Sequence, residues 1–385
     1  MLINTIYATH LYKSGVCYAC QSILESMQSA DTDVRLFCVS ANKDVRLSSF
    51  HRLSLPLWAK PLGYKLISDD LWEKYTEWRY RHSFKGQQIA YLWPGTSIDT
   101  YRFAKSKGHI LLTENINTHQ ATSKKILDAE YSRLGLKPAH GIDEERICDE
   151  NAKLELVDYV FSPSEEVSKS LLNANIPHEK IIRTSYGLDS THIMLPEQIE
   201  MRAKKKELTA IFVGRIGIRK GVHLLLEYWV KSGIKGKLKL VGNIEHSAKP
   251  LVEPYLSRHD IEHIPFTKDL ESLYLDADIF IFPSLEEGSP LVTYLALGAG
   301  LPSIVSPMGG GGIVNDGCEG LIIDSHDTDG WIDAIRKLFS DAELRMQFSR
   351  NASNRAREYL WSNVGRQRRE LLLAALDSRV GGDQL

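Results

Sequence analysis

The chain has 385 residues, 43% of them hydrophobic and 25% charged, the make-up of an ordinary soluble protein too long for one hydrophobic core. Its 47 Lys and Arg against 49 Asp and Glu give a formal charge of −2, which excludes the strongly basic surface of a general nucleic-acid binder. Five scattered cysteines exclude a disulfide framework, and neither a secretory leader nor a run of about 18 apolar residues is present, so a cytoplasmic protein is expected.

The first apolar run, Leu2 to Ala8, predicts a strand followed by the loop Thr9 to Gly15. Cys17 and Cys20 stand three apart on the predicted helix beyond it; no second pair completes a zinc set, and one buried helix face accounts for them. Val34 to Ser40 predicts the next strand. Trp72, Tyr75, Trp78, Arg79, Tyr80 and Arg81 then combine aromatics with cations on a predicted helix. Domain packing with a solvated face is the simpler reading, and a membrane surface or a glycan is the other. Ile89 to Leu92, Ile110 to Thr113 and Tyr159 to Ser162 continue the strands, with helical patterns between them. A polar cluster, Glu114, Asn115, Asn117 and His119, follows the strand ending at Thr113, which is where ligands collect in doubly wound sheets.

A charged stretch, Glu197 to Glu207, separates these strands from a second series: Leu208 to Val213, Leu238 to Val241, Ile279 to Phe282 and Ser303 to Val305. Strands alternating with helices predict parallel α/β sheets, here two doubly wound domains joined near residues 187 to 207. After Val213 the chain reads Gly214-Arg215 and then Lys220-Gly221, so two cations flank one loop at a strand end, with Arg219 as a bystander. Such a pair suits a leaving group that gains negative charge. Asp276-Ala277-Asp278 has the look of a metal-binding pair but precedes a buried strand, which speaks for structure. After that strand, Glu286-Glu287-Gly288-Ser289-Pro290 forms an acidic turn into a helix. Free backbone N–H groups there favour an anion, and a carboxylate beside them can accept hydrogen bonds from sugar hydroxyls. Gly309 to Gly312 would pass in isolation for a phosphate cradle.

Taken together, IFIFPSLEEGSPLVTYLALGAGLP over Ile279 to Pro302 and IFVGRIGIRKGVHLLL over Ile211 to Leu226 resemble the donor-site motifs of the GT-B glycosyltransferases of family 4. The likeness extends to VFSPSEEVSKSLL, SYGLD, DADIFIFPS, Ser306 to Leu321 and a closing helix around Trp361 to Ala374. It implies an α/β protein of GT-B fold, with two Rossmann-like doubly wound domains facing a central cleft. Residues 1–190 would form the acceptor domain, 191–362 the nucleotide-sugar donor domain, and 363–385 a helix crossing back to the first. The implied reaction is metal-independent transfer, with retention, of a sugar from a UDP- or GDP-type donor to a glycan or lipid-linked acceptor, as in cell-surface polysaccharide synthesis. The nucleotide-sugar is then a substrate, no cofactor or nucleic acid is involved, and contact with the inner face of a membrane is allowed.

By the same resemblance Arg215 and Lys220 hold the diphosphate, Glu287 binds the donor sugar, and His119 lies near the reacting centre. Gly15, Gly214, Gly288, Ser289 and Leu291 bring backbone to the donor, and Glu114 and Asn117 serve the acceptor side. The sequence departs from the family at Leu295, where a second Glu usually stands eight residues after the first, and at Gly312, where a Glu follows a glycine pair. These departures keep open a non-catalytic glycan- or partner-binding protein of the same fold, and a nucleotide-sugar epimerase or hydrolase is a third reading. A dehydrogenase is not expected, since no G-x-G-x-x-G follows the first strand.

Overall fold

A computed structural model describes residues 1–202, 207–267 and 269–382; part of the charged stretch Glu197–Glu207 and the last residues of the expected closing segment 363–385 lie outside them. The first half builds a seven-stranded sheet from β1 (Leu2–Ile6), β3 (Asp33–Cys38), β5 (His51–Leu53), β6 (Ile89–Leu92), β7 (Ile110–Glu114), β8 (Tyr159–Ser162) and β9 (Ile181–Arg183). Two short strands, β2 (His10–Leu11) and β4 (Ser40–Ala41), pair beside it. The order is β5-β3-β1-β6-β7-β8-β9, and every pair is parallel. The second half builds a six-stranded parallel sheet from β10 (Thr209–Val213), β11 (Lys237–Val241), β12 (Ile261–Ile264), β13 (Ile279–Phe282), β14 (Ser303–Val305) and β15 (Gly320–Ile322). Its order, β12-β11-β10-β13-β14-β15, is the doubly wound order of a dinucleotide-binding fold.

Burial explains why these segments are strands. Residues of β6, β8, β10 and β13 are buried along their whole length, as parallel strands covered on both faces must be, and they read as continuous apolar runs. The expected strands over 2–8 and 34–40 end sooner, at Ile6 and Cys38, because the chain turns there into the loops of the cleft. Cys17 and Cys20 lie on the buried face of the helix Gly15–Met27. Asp278 accepts a hydrogen bond from the Thr209 N–H at 2.8 Å, while Asp276 pairs with Lys239 at 2.7 Å, so both carboxylates brace the sheet.

The chain crosses between the halves twice, and the crossings are bonded to each other: Leu188 N–H donates to the Tyr359 carbonyl at 3.0 Å, and Trp361 N–H to the Leu188 carbonyl at 3.2 Å. The helix Trp361–Gly382 returns to the first half. Its Arg368 binds Glu114 at the end of β7, and Tyr159 of β8 donates to the Ala375 carbonyl at 2.8 Å.

Candidate functional site

Both sheets reverse direction of winding at one point, between β1 and β6 and between β10 and β13, and the loops beyond those strand ends face one another. In the second half the loop after β10 carries Gly214 and Arg215, then a tight turn over Ile218–Lys220, then the helix Val222–Ser232. Gly221 joins turn to helix at φ +66°, where a Cβ would meet the Pro283 carbonyl oxygen at 2.1 Å, so the close approach of this loop to the end of β13 requires glycine. That approach places the Lys220 ammonium against the Glu287 carboxylate. Burial, reinforced by the neighbouring Arg219 charge, lowers the hold of Lys220 on its proton. The two groups thus meet with little water around them.

Arg219 is no bystander. Its Nε is 2.7 Å from Glu286 Oε2, and its Nη2 donates to Asn117 Oδ1 at 3.1 Å and lies 3.7 Å from Glu287. Glu286, fully buried, reaches across to the first half: its Oε1 accepts from the Thr118 N–H at 3.2 Å, the Thr118 hydroxyl at 2.8 Å and the Ser123 hydroxyl at 3.1 Å. Gly288 sits in the same seam, where a Cβ would come within 1.9 Å of the Ile116 carbonyl oxygen. Ser289 is anchored through its hydroxyl to Tyr294 at 2.8 Å, and Leu291 opens the short helix Leu291–Gly298.

The structure therefore brings Gly214, Lys220, Glu287, Gly288, Ser289, Leu291 and Asn117 to neighbouring positions on the two walls. Arg215 hangs at the edge, its side chain 74% exposed and 3.7 Å from Glu245. Gly15 opens its helix at φ +56° with free space where a side chain would be.

His119 and Glu114 have other employment. His119 is buried as the cap of the helix Gln120–Arg133, with Nδ1 accepting from the Ala121 N–H at 3.3 Å and Nε2 bonded to Asn151 at 2.9 Å. Burial lowers its affinity for a proton. Glu114 forms a doubly bonded ion pair with Arg368 at 2.8 and 3.1 Å and accepts from the Tyr91 hydroxyl. Both side chains are consumed in holding the wall, because the end of β7 and the turn after it are buried against Arg368 and Asn151.

Two departures also find their places. Leu295 lines a small cavity of about 80 Å³ with His192, Leu270 and Tyr274, and Gly312 turns at φ +73° beside Arg183 and Ser164. Sequence reading missed a polar pocket of about 490 Å³ on the first half, beyond β1 and β3, walled by His10, Asn42, Lys60, Tyr64, Asp69 and Glu73. His10 is bonded to Ser40 at 2.5 Å and to Asn42 at 2.8 Å, with the Lys60 ammonium 3.0 Å from its Nε2. The only trace of this pocket in the sequence was its position in the loop Thr9 to Gly15; its other walls come from a helix pair with no ligand signature.

Residues 196–355 match the family described as Glycosyl transferases group 1. A 100-residue stretch is 34% identical to a D-inositol 3-phosphate glycosyltransferase of Corynebacterium kroppenstedtii, covering 26% of this chain and 22% of that protein, so the match spans less than a quarter of the relative's length. Among solved structures, the sucrose-phosphate synthase of Thermosynechococcus elongatus superposes with a TM-score of 0.73 at 18% identity, covering 98% of this chain and 99% of the other. HepE of Anabaena in complex with UDP superposes with a TM-score of 0.66 at 14% identity, covering 97% and 100%. The fold is that of the GT-B glycosyltransferases, with two Rossmann-like domains.

Proposed function

We propose that the protein is a GT-B glycosyltransferase of family 4 that moves a sugar, with retention and without a metal, from a nucleoside diphosphate donor to a glycan or lipid-linked acceptor. One observation carries the reading: Lys220 and Glu287, far apart in sequence, meet at the ends of the adjacent strands β10 and β13. A departing nucleoside diphosphate gains charge that Lys220 neutralises, with Arg215 adding to it from the edge. In a water-poor site such a donor typically contributes about 3 kcal/mol to the transition state. Glu287 accepts hydrogen bonds from donor-sugar hydroxyls once Lys220 turns to the phosphates. Asn117, already bonded to Arg219, stands on the acceptor wall. The UDP complex of the HepE structure supports a nucleotide donor, and retention and metal independence rest on the likeness to family 4.

A thermal-shift screen against UDP-, GDP-, ADP- and TDP-sugars tests the donor, since ligand at about 100 times its Kd adds roughly 2.7 kcal/mol of stability. Transfer by the selected donor, the anomer of the product and persistence of turnover in a chelator then test the reaction. Leu295 favours a second reading, a non-catalytic binder. Nucleotide binding without turnover on any acceptor would establish it, and product formed without an acceptor would point to an epimerase or hydrolase.

A further inference from the structure

The turn after β13 carries two buried carboxyl groups side by side, and their partners differ in number. Glu286 is fully engaged. Its Oε1 accepts from Thr118 and Ser123 of the first half, and its Oε2 holds the Arg219 Nε at 2.7 Å. Glu287 has the Lys220 ammonium on Oε1, with the Ser284 hydroxyl 3.3 Å from the same oxygen. Its other oxygen, Oε2, faces Arg219 Nη2 at 3.7 Å, an ion-pair distance too long for a hydrogen bond. Among the described residues Arg219 and Lys220 are the two basic side chains paired with Glu287.

A diphosphate that draws Lys220 away takes from Glu287 its closest partner, and a buried carboxyl group needs one. Arg219 is placed to replace it. Its backbone is pinned to the strand end that carries the turn, the carbonyl accepting from the Leu285 N–H at 2.9 Å and the Ser284 hydroxyl at 3.3 Å. Its guanidinium is a rigid fork: Nε stays on Glu286, while Nη2 gives one hydrogen to Asn117 Oδ1 at 3.1 Å and has a second to give. The approach of Nη2 to Glu287 has to shorten by only about 0.5 Å to become a hydrogen bond. We infer that Arg219 is a positioning residue, which takes Oε2 of Glu287 when Lys220 moves to the diphosphate and so leaves Oε1 oriented for hydroxyls of the donor sugar. Because Asn117 belongs to the first half, the fork that orders Glu287 is itself braced by the opposite wall. The inference rests on the donor site proposed for Lys220 and Glu287, and it gives Arg219 a role through Glu287 and not on the phosphates.

Calorimetric titration of the full chain with UDP and with UDP-glucose, or with the corresponding guanosine pair where the thermal-shift screen selects it, separates the sugar's share of the affinity from that of the diphosphate. Arg219→Gln is expected to weaken the nucleotide-sugar about tenfold and to leave the diphosphate within about threefold of the wild type. Glu287→Gln should do the same. In that background Arg219→Gln should cost less than about threefold more, because two residues acting through one contact are not additive. Arg219→Lys should recover part of the loss, since it keeps one cation without the fork. Should Arg219→Gln not fold because Glu286 has lost its partner, the same cycle is measured in the Glu286→Gln background. Equal losses with and without Glu287, weaker diphosphate binding in Arg219→Gln, or unchanged nucleotide-sugar binding would each overturn the inference, the second by placing Arg219 on the phosphates themselves. A wild type that binds neither pair refutes the donor site, and the inference falls with it.

Discussion

A lysine held in a dry pocket against a carboxylate is a pair that an arriving anion can divide, and its two members then serve different parts of one ligand. Lys220→Ala should lower transfer about a hundredfold or more with the fold intact, because it removes one charge-stabilising donor from a loop. Arg215→Ala should cost less, about tenfold, since solvent screens a side chain this exposed. Turnover measured beside circular dichroism checks both, and near-normal turnover in Lys220→Ala would remove this loop from the diphosphate. A second residue, Glu150, titrates in a range that can be measured. Burial raises its carboxyl from 4.5 to about 7, against a hydrogen bond from the Gln120 N–H that lowers it. Between those values the folded protein holds a proton that the unfolded chain releases, so stability falls as pH rises through this window. Glu150→Gln keeps an acceptor for Gln120 and removes the titration. Its Tm should exceed that of the wild type near about pH 8 and converge with it near about pH 4, and a gap independent of pH would refute the assignment.

The elements that sequence reading found are those whose pattern is local. Ile89–Leu92, Tyr159–Ser162 and Ile279–Phe282 are buried throughout and mainly apolar, and were legible to the residue. The missed strands β5, β9, β12 and β15 are the edge pieces of the two sheets, three or four residues long and either mixed with polar residues, as in His51-Arg52-Leu53, or opened by glycine, as in Gly320-Leu321-Ile322, and only their neighbours make them strands. Glu114 and His119 were expected on the acceptor wall and near the reacting centre because they follow a strand; Glu114 closes β7 and His119 caps the next helix. Their partners Arg368 and Asn151 lie far along the chain, and no spacing rule pairs them. For Glu114 the consequence is energetic. Glu114→Gln leaves the Arg368 guanidinium buried and unpaired, which typically costs about 3 to 5 kcal/mol, so chemical denaturation should show a large loss that Glu114→Gln, Arg368→Met partly restores. The helix Gln120–Arg133 offers a pH-dependent counterpart. Burial raises the Glu130 carboxyl, but hydrogen bonds from His223 of the second half and from Arg133 outweigh it and hold it at about 2 instead of 4.5. A depressed carboxylate stabilises fully above its unfolded value and less as pH falls toward its folded one, a difference of roughly 3 kcal/mol across about pH 4.5 to 2. Glu130→Gln should therefore lower Tm near neutrality and converge with the wild type in acid; a constant offset would show that the pair contributes nothing through charge.

At the scale of the molecule, the parallel sheets and the cleft were legible because alternation of strands and helices constrains topology, and the neighbourhood of Gly214, Lys220 and Glu287 because all three lie in the loops that leave the adjacent strands β10 and β13. The seam between the halves was not legible. Arg219 and Glu286 look like spare charges beside a motif, and their use depends on Asn117, Thr118 and Ser123 arriving from the other wall. Gly288 belongs to that seam as much as to the turn. Its backbone avoids the left-handed region, so alanine is conformationally acceptable there, and a Cβ would meet two backbone groups of the other half, the Ile116 carbonyl oxygen at 1.9 Å and Asn117 Cα at 3.0 Å. Backbone on both sides leaves little room to relax, and the easiest response is for the walls to part. Gly288→Ala is therefore expected to increase the radius of gyration in small-angle scattering. Transfer should fall by about tenfold to a hundredfold, because a shift near 1 Å in reacting geometry suffices for such a loss. Nucleotide-induced thermal stabilisation should persist, since Lys220 and Glu287 both remain on the second half. Unchanged scattering with wild-type transfer would mean that the contact of Gly288 with Ile116 is not part of the reactive arrangement; loss of nucleotide binding as well would place the damage in the turn itself.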